Sequence, residues 1–327
     1  MTESRLRSFV ALADAGSVRE AARRLYVTES AVSSAVTALA RELDVPLVRR
    51  EGRGLALTPA GTVYAAYARQ VLGLLEQGRA AARGAADPAR GTLRLAAVTT
   101  AADQVLPELL ASFRTRRPGV ELALEVGPRR QVWASLAAHR ADLVLAGRPP
   151  AGLAATVLAR RPNDLVVVGA PPLAAAFALD TTPWVMREPG SGTGAAAEAY
   201  LAERDVAPPR LVLGSNGAVI AGAAAGLGVA LVSRDAVRDR LAAGLLAEIA
   251  APGTPLHRPW HAVAGSAPTP TTLLFVAHLL DAPGWTAGGA PGAGVSGGEG
   301  GQDEGERDEP RREQHEGDGL AAVDGEL

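Results

Sequence analysis

Apolar positions near the start of the chain recur at helical spacing. Leu6, Phe9, Val10 and Ala13 share one face before Ala15-Gly16, where glycine suits the left-handed cap that ends a helix. Ser17-Val18-Arg19-Glu20 has the form of a capping box, with serine oxygen and glutamate carboxylate each satisfying an orphan amide, so a second helix is predicted to about Leu25. Thr28 can cap a third helix over 28–43, whose stripe Val32, Val36, Leu39, Leu43 leaves the opposite face free. Two short extended pieces follow at 47–50 and 55–58 around the turn Glu51-Gly52-Arg53-Gly54, which reads as a wing. Thr58-Pro59 opens a long helix to about 84, on which Tyr64, Tyr67/Ala68, Val71, Leu74/Leu75 and Gly78 approximate a heptad seam for pairing with a second copy.

Beyond the Pro/Gly-containing linker 85–91, strand-like and helix-like segments alternate. Strands are predicted near 93–98, 120–126, 142–146, 165–168, 182–186, 211–214, 229–232 and 260–264. Helices are predicted near 102–116, 129–138, 194–203, 217–225 and 269–280. The alternation predicts mostly parallel sheets. The expected organisation is 1–58 winged helix-turn-helix, 59–90 linker and dimerisation helix, 91–283 two-lobed effector domain, and 284–327 a disordered Gly-rich, acidic tail.

Charge changes the picture once that tail is set apart. Residues 299–327 hold 11 acidic residues against 3 arginines, and removing that -8 from the net -2 leaves +6 on residues 1–298. A basic folded part suits a nucleic-acid partner. With 0 cysteines and five scattered histidines (His139, His257, His261, His278, His315), no catalytic residue, metal or other cofactor is expected. The N-terminus has no secretory pattern and no apolar run is long enough to span a bilayer, so the expected location is the cytoplasm, away from membranes.

The order of motifs resembles the LysR-type transcriptional regulators: Ala21-Ala22-x-x-Leu25, Thr28-Glu29-Ser30-Ala31-Val32-Ser33, Leu43-x-x-Pro46-Leu47-x-x-Arg50 and Leu57-Thr58-Pro59-Ala60-Gly61. Asp142-Leu143-Val144-Leu145, Arg187-Glu188-Pro189-Gly190-Ser191-Gly192-Thr193 and Gly226-Leu227-Gly228-Val229-Ala230 are similar to that family's effector domain, nearest the Calvin-cycle and cysteine-metabolism regulators. The resemblance covers about 1–282. It implies an all-α winged helix-turn-helix domain with a long linker helix, then two α/β lobes of the type-2 periplasmic-binding-protein fold joined by two crossovers. It also implies a homodimer or homotetramer on double-stranded DNA, with RNA polymerase as an expected partner.

Each hydroxyl of Thr28, Ser30, Ser33, Ser34 and Thr37 alone reads equally as a DNA contact or as a merely capping or solvated group. Beside Glu29, between flanking helices and a wing, they read together as the DNA-contacting face, with Arg50 and Arg53 positioned for phosphate or the minor groove. Glu29, Ala35 and Thr37 depart from the glutamines and arginine common in the family, so the base sequence read should differ. Candidate effector residues stand at strand ends: Thr99, Thr100, Arg148, Ser191, Gly192, Thr193 and Asn216. Two helix N-termini facing one cleft would favour a small anionic metabolite. The alternatives are a small-molecule-binding protein without regulatory role and an enzyme; Pro189-Gly190-Ser191-Gly192-Thr193 fails the nucleophile-elbow pattern at its first glycine.

Overall fold

The structure is a computed structural model that describes residues 1–51 and 54–289. It opens with α1 (Glu3–Ala15), α2 (Val18–Leu25) and α3 (Glu29–Glu42), then the antiparallel strands β1 (Val48–Glu51) and β2 (Gly54–Leu57). The caps explain the breaks. Gly16 takes φ 67°, Ser17 accepts from the Glu20 amide, Tyr26 closes α2 at φ 56°, and Thr28 accepts from the Ala31 amide. Ser17 thus forms half of the expected capping box. The other half is absent among the described residues, because the Glu20 carboxylate is taken by Arg23 and Arg24 on the next turn, and charge-assisted bonds to guanidinium are stronger than one to an amide. Leu6, Phe9, Leu12, Val32, Val36, Leu39 and Leu47 close the core of this small domain.

The linker helix α4 (Pro59–Ala86) is capped by Thr58 and runs about 42 Å at the usual rise per residue. The expected seam is displaced by one position at its start: Ala68 is buried and Tyr64 half-buried against the helix-turn-helix core, while Val63, Tyr67, Val71 and Leu74 stay exposed. A heptad count cannot tell that the helix already spends one stripe on its own domain. Gly73 permits the close approach of α4 to the Ala138 carbonyl. Gln77 is buried beside it, donating to the Ala267 carbonyl at 3.2 Å while its Oε1 meets His139 Nδ1 at 2.8 Å.

The first lobe contains β3 (Thr92–Val98), α5 (Thr99–Gln104), α6 (Leu106–Arg116), β4 (Glu121–Gly127), α7 (Arg129–Ala137), β5 (Leu143–Ala146) and β6 (Ala155–Arg161). The helix expected over 102–116 is broken at Val105, since Pro107 has no amide to carry a continuous ladder. The second lobe contains β7 (Asp164–Gly169), α8 (Pro171–Ala175), β8 (Trp184–Arg187), α9 (Gly192–Ala202), β9 (Arg210–Leu213), α10 (Asn216–Ala224), β10 (Ala230–Ser233), α11 (Arg234–Ala242), β11 (Ala247–Ile249) and β12 (Leu256–His257). The chain then returns to the first lobe as β13 (Trp260–Gly265), α12 (Pro270–Leu280) and β14 (Thr286–Ala287).

The first sheet has the order β14-β6-β13-β5-β3-β4; β7 is flanked by β10 and β11 and also pairs with β12, and β8 pairs with β9. The expectation of mostly parallel sheets is corrected. Only β3 with β4 and β5, and β8 with β9, run parallel; the other named strand pairs are antiparallel. The reason is the double crossing: β6 passes straight into β7, and β12 into β13 in the opposite sense, so the crossing strands pair antiparallel with what they enter.

The tail boundary is corrected as well. Trp285 is 7% exposed and packs into the first lobe, and β14 adds to the edge of β6, because burying an indole offsets the ordering of the few residues around it. The remainder of the tail, 290–327, lies outside the described residues.

His278 of α12 is buried beside Phe113 and Phe275, with Nε2 meeting Ser112 Oγ at 2.9 Å, and His261 of β13 is buried in the first sheet. Burial holds both imidazoles below their ordinary value. The unfolded chain therefore binds protons that the folded one resists, so stability is full above the ordinary imidazole value and falls as acid is added below it. Urea midpoints should decline between about pH 7.5 and about pH 5.5, with a flatter decline in His278→Gln.

Candidate functional site

The exposed face of α3 carries Thr28, Glu29, Ser30, Ser33, Ser34 and Thr37, opposite the buried stripe Val32, Val36 and Leu39. Thr28 is partly committed to the helix, accepting from the Ala31 amide at 3.2 Å and meeting Ser30 Oγ at 3.0 Å. Ser33, Ser34 and Thr37 make no side-chain hydrogen bond among the described residues and present free hydroxyls. Arg50 is exposed on β1 without a carboxylate partner among the described residues, whereas its neighbour Arg49 is held by Glu51 at 3.0 Å. Arg53 lies outside the described residues.

The second candidate site is a cleft of about 310 Å³ between the lobes. From the first lobe it receives Val98, Thr99 and Thr100 at the end of β3, and Gly127, Pro128 and Arg129 where β4 turns into α7. From the second it receives Arg187 and Glu188 at the end of β8 and Ser191, Gly192 and Thr193 at the start of α9. Asn163, Arg258 and Trp260 join the wall where the chain crosses between lobes, and Ser233 joins it from the end of β10. Five of the seven candidate effector residues are thereby brought together: Thr99, Thr100, Ser191, Gly192 and Thr193. Arg148 and Asn216 do not line it. Arg148 is exposed and contributes only its carbonyl, which accepts from Arg129 Nη2 at 2.7 Å, and Asn216 is buried at the start of α10.

Positive charge outnumbers negative in the cleft. Three arginines face one glutamate along the wall, and α7, α9 and α11 all start there, placing helix N-termini on both sides of the cleft. Ser191 caps α9 by accepting from the Gly194 amide at 3.3 Å. Arg187 binds Glu188 through two bonds of 2.7 and 2.8 Å, and this hydrogen-bonded guanidinium holds the Glu188 carboxyl below the usual carboxylate range.

Asn163, which nothing in the sequence singled out, ties the crossing together. Its Oδ1 accepts from Ser233 Oγ at 2.6 Å, its Nδ2 donates to the Arg258 carbonyl at 3.0 Å, and its own carbonyl accepts from the Arg258 amide at 2.9 Å. Arg161 and Asp235, 3.0 Å apart, bridge β6 to α11 nearby. Asn163→Ala strands the buried Ser233 hydroxyl and takes one donor from the Arg258 carbonyl; a buried unsatisfied group costs about 1–3 kcal/mol, and urea unfolding should show a loss of about that size. A Pro-Asn step between two apolar runs was the only signal available.

A helix-turn-helix domain joined through a long helix to a two-lobed cleft is the arrangement of a ligand-responsive DNA-binding regulator. Residues 4–62 match the model of the bacterial regulatory helix-turn-helix protein, lysR family, and residues 86–284 match that of the LysR substrate binding domain. The chain belongs to the LysR family of transcriptional regulators. It is 34% identical over 294 residues to the RuBisCO operon transcriptional regulator of Acidithiobacillus ferrooxidans, covering 86% of this chain and 94% of that one, which agrees with the Calvin-cycle regulator branch. A full-length OxyR variant from Pseudomonas aeruginosa shares the fold with a TM-score of 0.64 at 21% identity, over 85% of this chain and 93% of that one. The regulatory domain of CcmR from Synechocystis PCC6803, solved in complex with 2-PG, is 28% identical with a TM-score of 0.52, over 57% of this chain and 96% of that domain.

Proposed function

We propose that this regulator binds promoter DNA as a dimer or tetramer through α3 and the wing, and that a small anionic metabolite in the interlobe cleft changes how it sits there. In this reading Ser33, Ser34 and Thr37 reach base edges, Thr28, Glu29 and Ser30 set the start of the helix against the groove, and Arg50 and Arg53 hold phosphates. The exposed row Val63, Tyr67, Val71 and Leu74 of α4 supplies the pairing seam. RNA polymerase is the partner through which an altered DNA complex acts on transcription.

One observation carries the effector reading: helix N-termini from both lobes and three arginines converge on one cleft that contains a single carboxylate. A ligand touching both lobes favours the closed arrangement over the open one, and that differential affinity is what can shift a population. The similar CcmR regulatory domain, solved in complex with 2-PG, supports a small ligand in a domain of this kind. Thermal unfolding with a panel of phosphorylated and carboxylated metabolites tests the reading. At a ligand concentration about a hundred times Kd the stabilisation is about 2.7 kcal/mol, and the shift should be lost in Ser191→Ala/Thr193→Val. A panel in which only neutral or cationic compounds raise the midpoint would overturn it.

A further inference from the structure

Any anion entering the cleft meets a seat that the chain has already filled. Arg187 is the most deeply buried of the three cleft arginines, with its side chain 7% exposed, and Nε and Nη2 both donate to the carboxylate of the adjacent Glu188. Glu188 itself is 38% exposed on its side chain. The other two arginines are not tied to carboxylates among the described residues: Arg129 is half-buried and donates to the Arg148 carbonyl, and Arg258 is exposed. The cation that a buried anion would use best is therefore the one already neutralised, by a side chain open enough to swing away.

We infer that Glu188 is a built-in competitor for the effector: its carboxylate holds the anion seat on Arg187, and an effector's anionic group gains that seat only by displacing it. The inference rests on the anionic reading of the cleft. Two consequences follow from the exchange. Apparent affinity is the intrinsic affinity multiplied by the fraction of time the seat is free. Selectivity rises as well, because a monocarboxylate replaces like with like, whereas a dianionic phosphate or sulfate group brings extra charge to the same guanidinium and to the helix N-termini beside it. Glu188 thus biases the site toward doubly charged head groups.

The probe is inorganic sulfate, whose charge is constant over the working pH range, added to the full chain at constant ionic strength. All four tryptophans, Trp133, Trp184, Trp260 and Trp285, lie outside the helix-turn-helix domain, and Trp260 lines the cleft. Tryptophan fluorescence that responds to sulfate and is lost in Trp260→Phe therefore reports this site rather than the DNA-binding face. Glu188→Gln should bind sulfate about five- to tenfold more tightly than the wild type, as expected when a mostly occupied seat is freed. Glu188→Asp keeps the charge but is one methylene too short for the paired bonds, and it should bind more tightly than the wild type too. If Glu188→Gln tightens binding while Glu188→Asp matches the wild type, general charge repulsion explains the effect and the competitor is overturned. Equal affinity in all three also overturns it, with the anionic reading intact. No sulfate response in any of them removes the anionic reading, and the competitor with it.

Discussion

Ser33→Glu/Thr37→Glu should lower affinity for the regulator's promoter DNA by at least about thirtyfold at fixed salt, since each lost or repelled base-edge contact is worth about 1–3 kcal/mol. The two residues lie four apart on the exposed side of α3 and make no side-chain hydrogen bond among the described residues, so the fold has no stake in them. Thermal unfolding should be unchanged within about 1 kcal/mol, as is usual for exposed helix positions. Fluorescence anisotropy on promoter DNA and on a scrambled duplex checks the result. The loss should be larger on the promoter, because general phosphate repulsion would weaken both alike. A double variant that binds the promoter normally would show that another surface reads the DNA.

Asp142→Ala should be the most destabilising single change in the first lobe, at about 3–5 kcal/mol, the cost of removing one partner from a buried ion pair. Asp142 is 1% exposed at the start of β5 and accepts from the Arg94 amide at 2.9 Å, from Arg94 Nε at 3.0 Å and from Nη2. Its loss leaves the guanidinium and a strand amide without their acceptor at the point where β3 and β5 pair in parallel. Urea unfolding should show a lowered midpoint, with Asp142→Asn between the variant and the wild type, since the amide oxygen keeps one acceptor. An Asp142→Ala midpoint within about 1 kcal/mol of the wild type would mean that water replaces the carboxylate, a cost at the lower end of the range for an unsatisfied group.

How far the sequence discloses these features depends on the range of the interaction. The helix-turn-helix was legible because its punctuation is local: Ser17, Thr28 and Thr58 accept from amides three residues on, and Gly16 donates to the Leu12 carbonyl four residues back. Parallel β3, β4 and β5 were legible for a similar reason, as β3 and β4 are each followed by helix that returns the chain to the next strand. The crossing was not. β6 finds its partner β13 about a hundred residues further along, and neither strand carries a turn signal that names the other. The helix α11 was missed because Arg234, Asp235, Arg238, Asp239 and Arg240 give it a polar surface with only Ala236 and Val237 buried.

The site divides in the same way. Thr99, Thr100, Ser191, Gly192 and Thr193 were visible as hydroxyls and glycines at strand-to-helix turns. Asn163 and Arg258 meet only where the two crossings bring them, Arg187 reaches the cleft from the end of β8, and Arg148 was chosen for its position after β5, although of that turn Gly147 and not Arg148 lines the cleft. The linker helix shows the limit of pattern counting: the heptad was present, but Ala68 had already been claimed by the core of its own domain.

The most direct test of effector-controlled DNA binding is footprinting of the full chain on the intergenic DNA beside its own gene, at stated salt, with and without the anionic compounds that stabilise it. The expected result is a protected region with two half-sites about one or more helical turns apart, whose extent or spacing changes when the stabilising anion is added and does not change in Ser191→Ala/Thr193→Val. Protection that is identical with and without every stabilising anion would contradict the account, because occupation of the cleft would then have no bearing on how the protein holds its DNA.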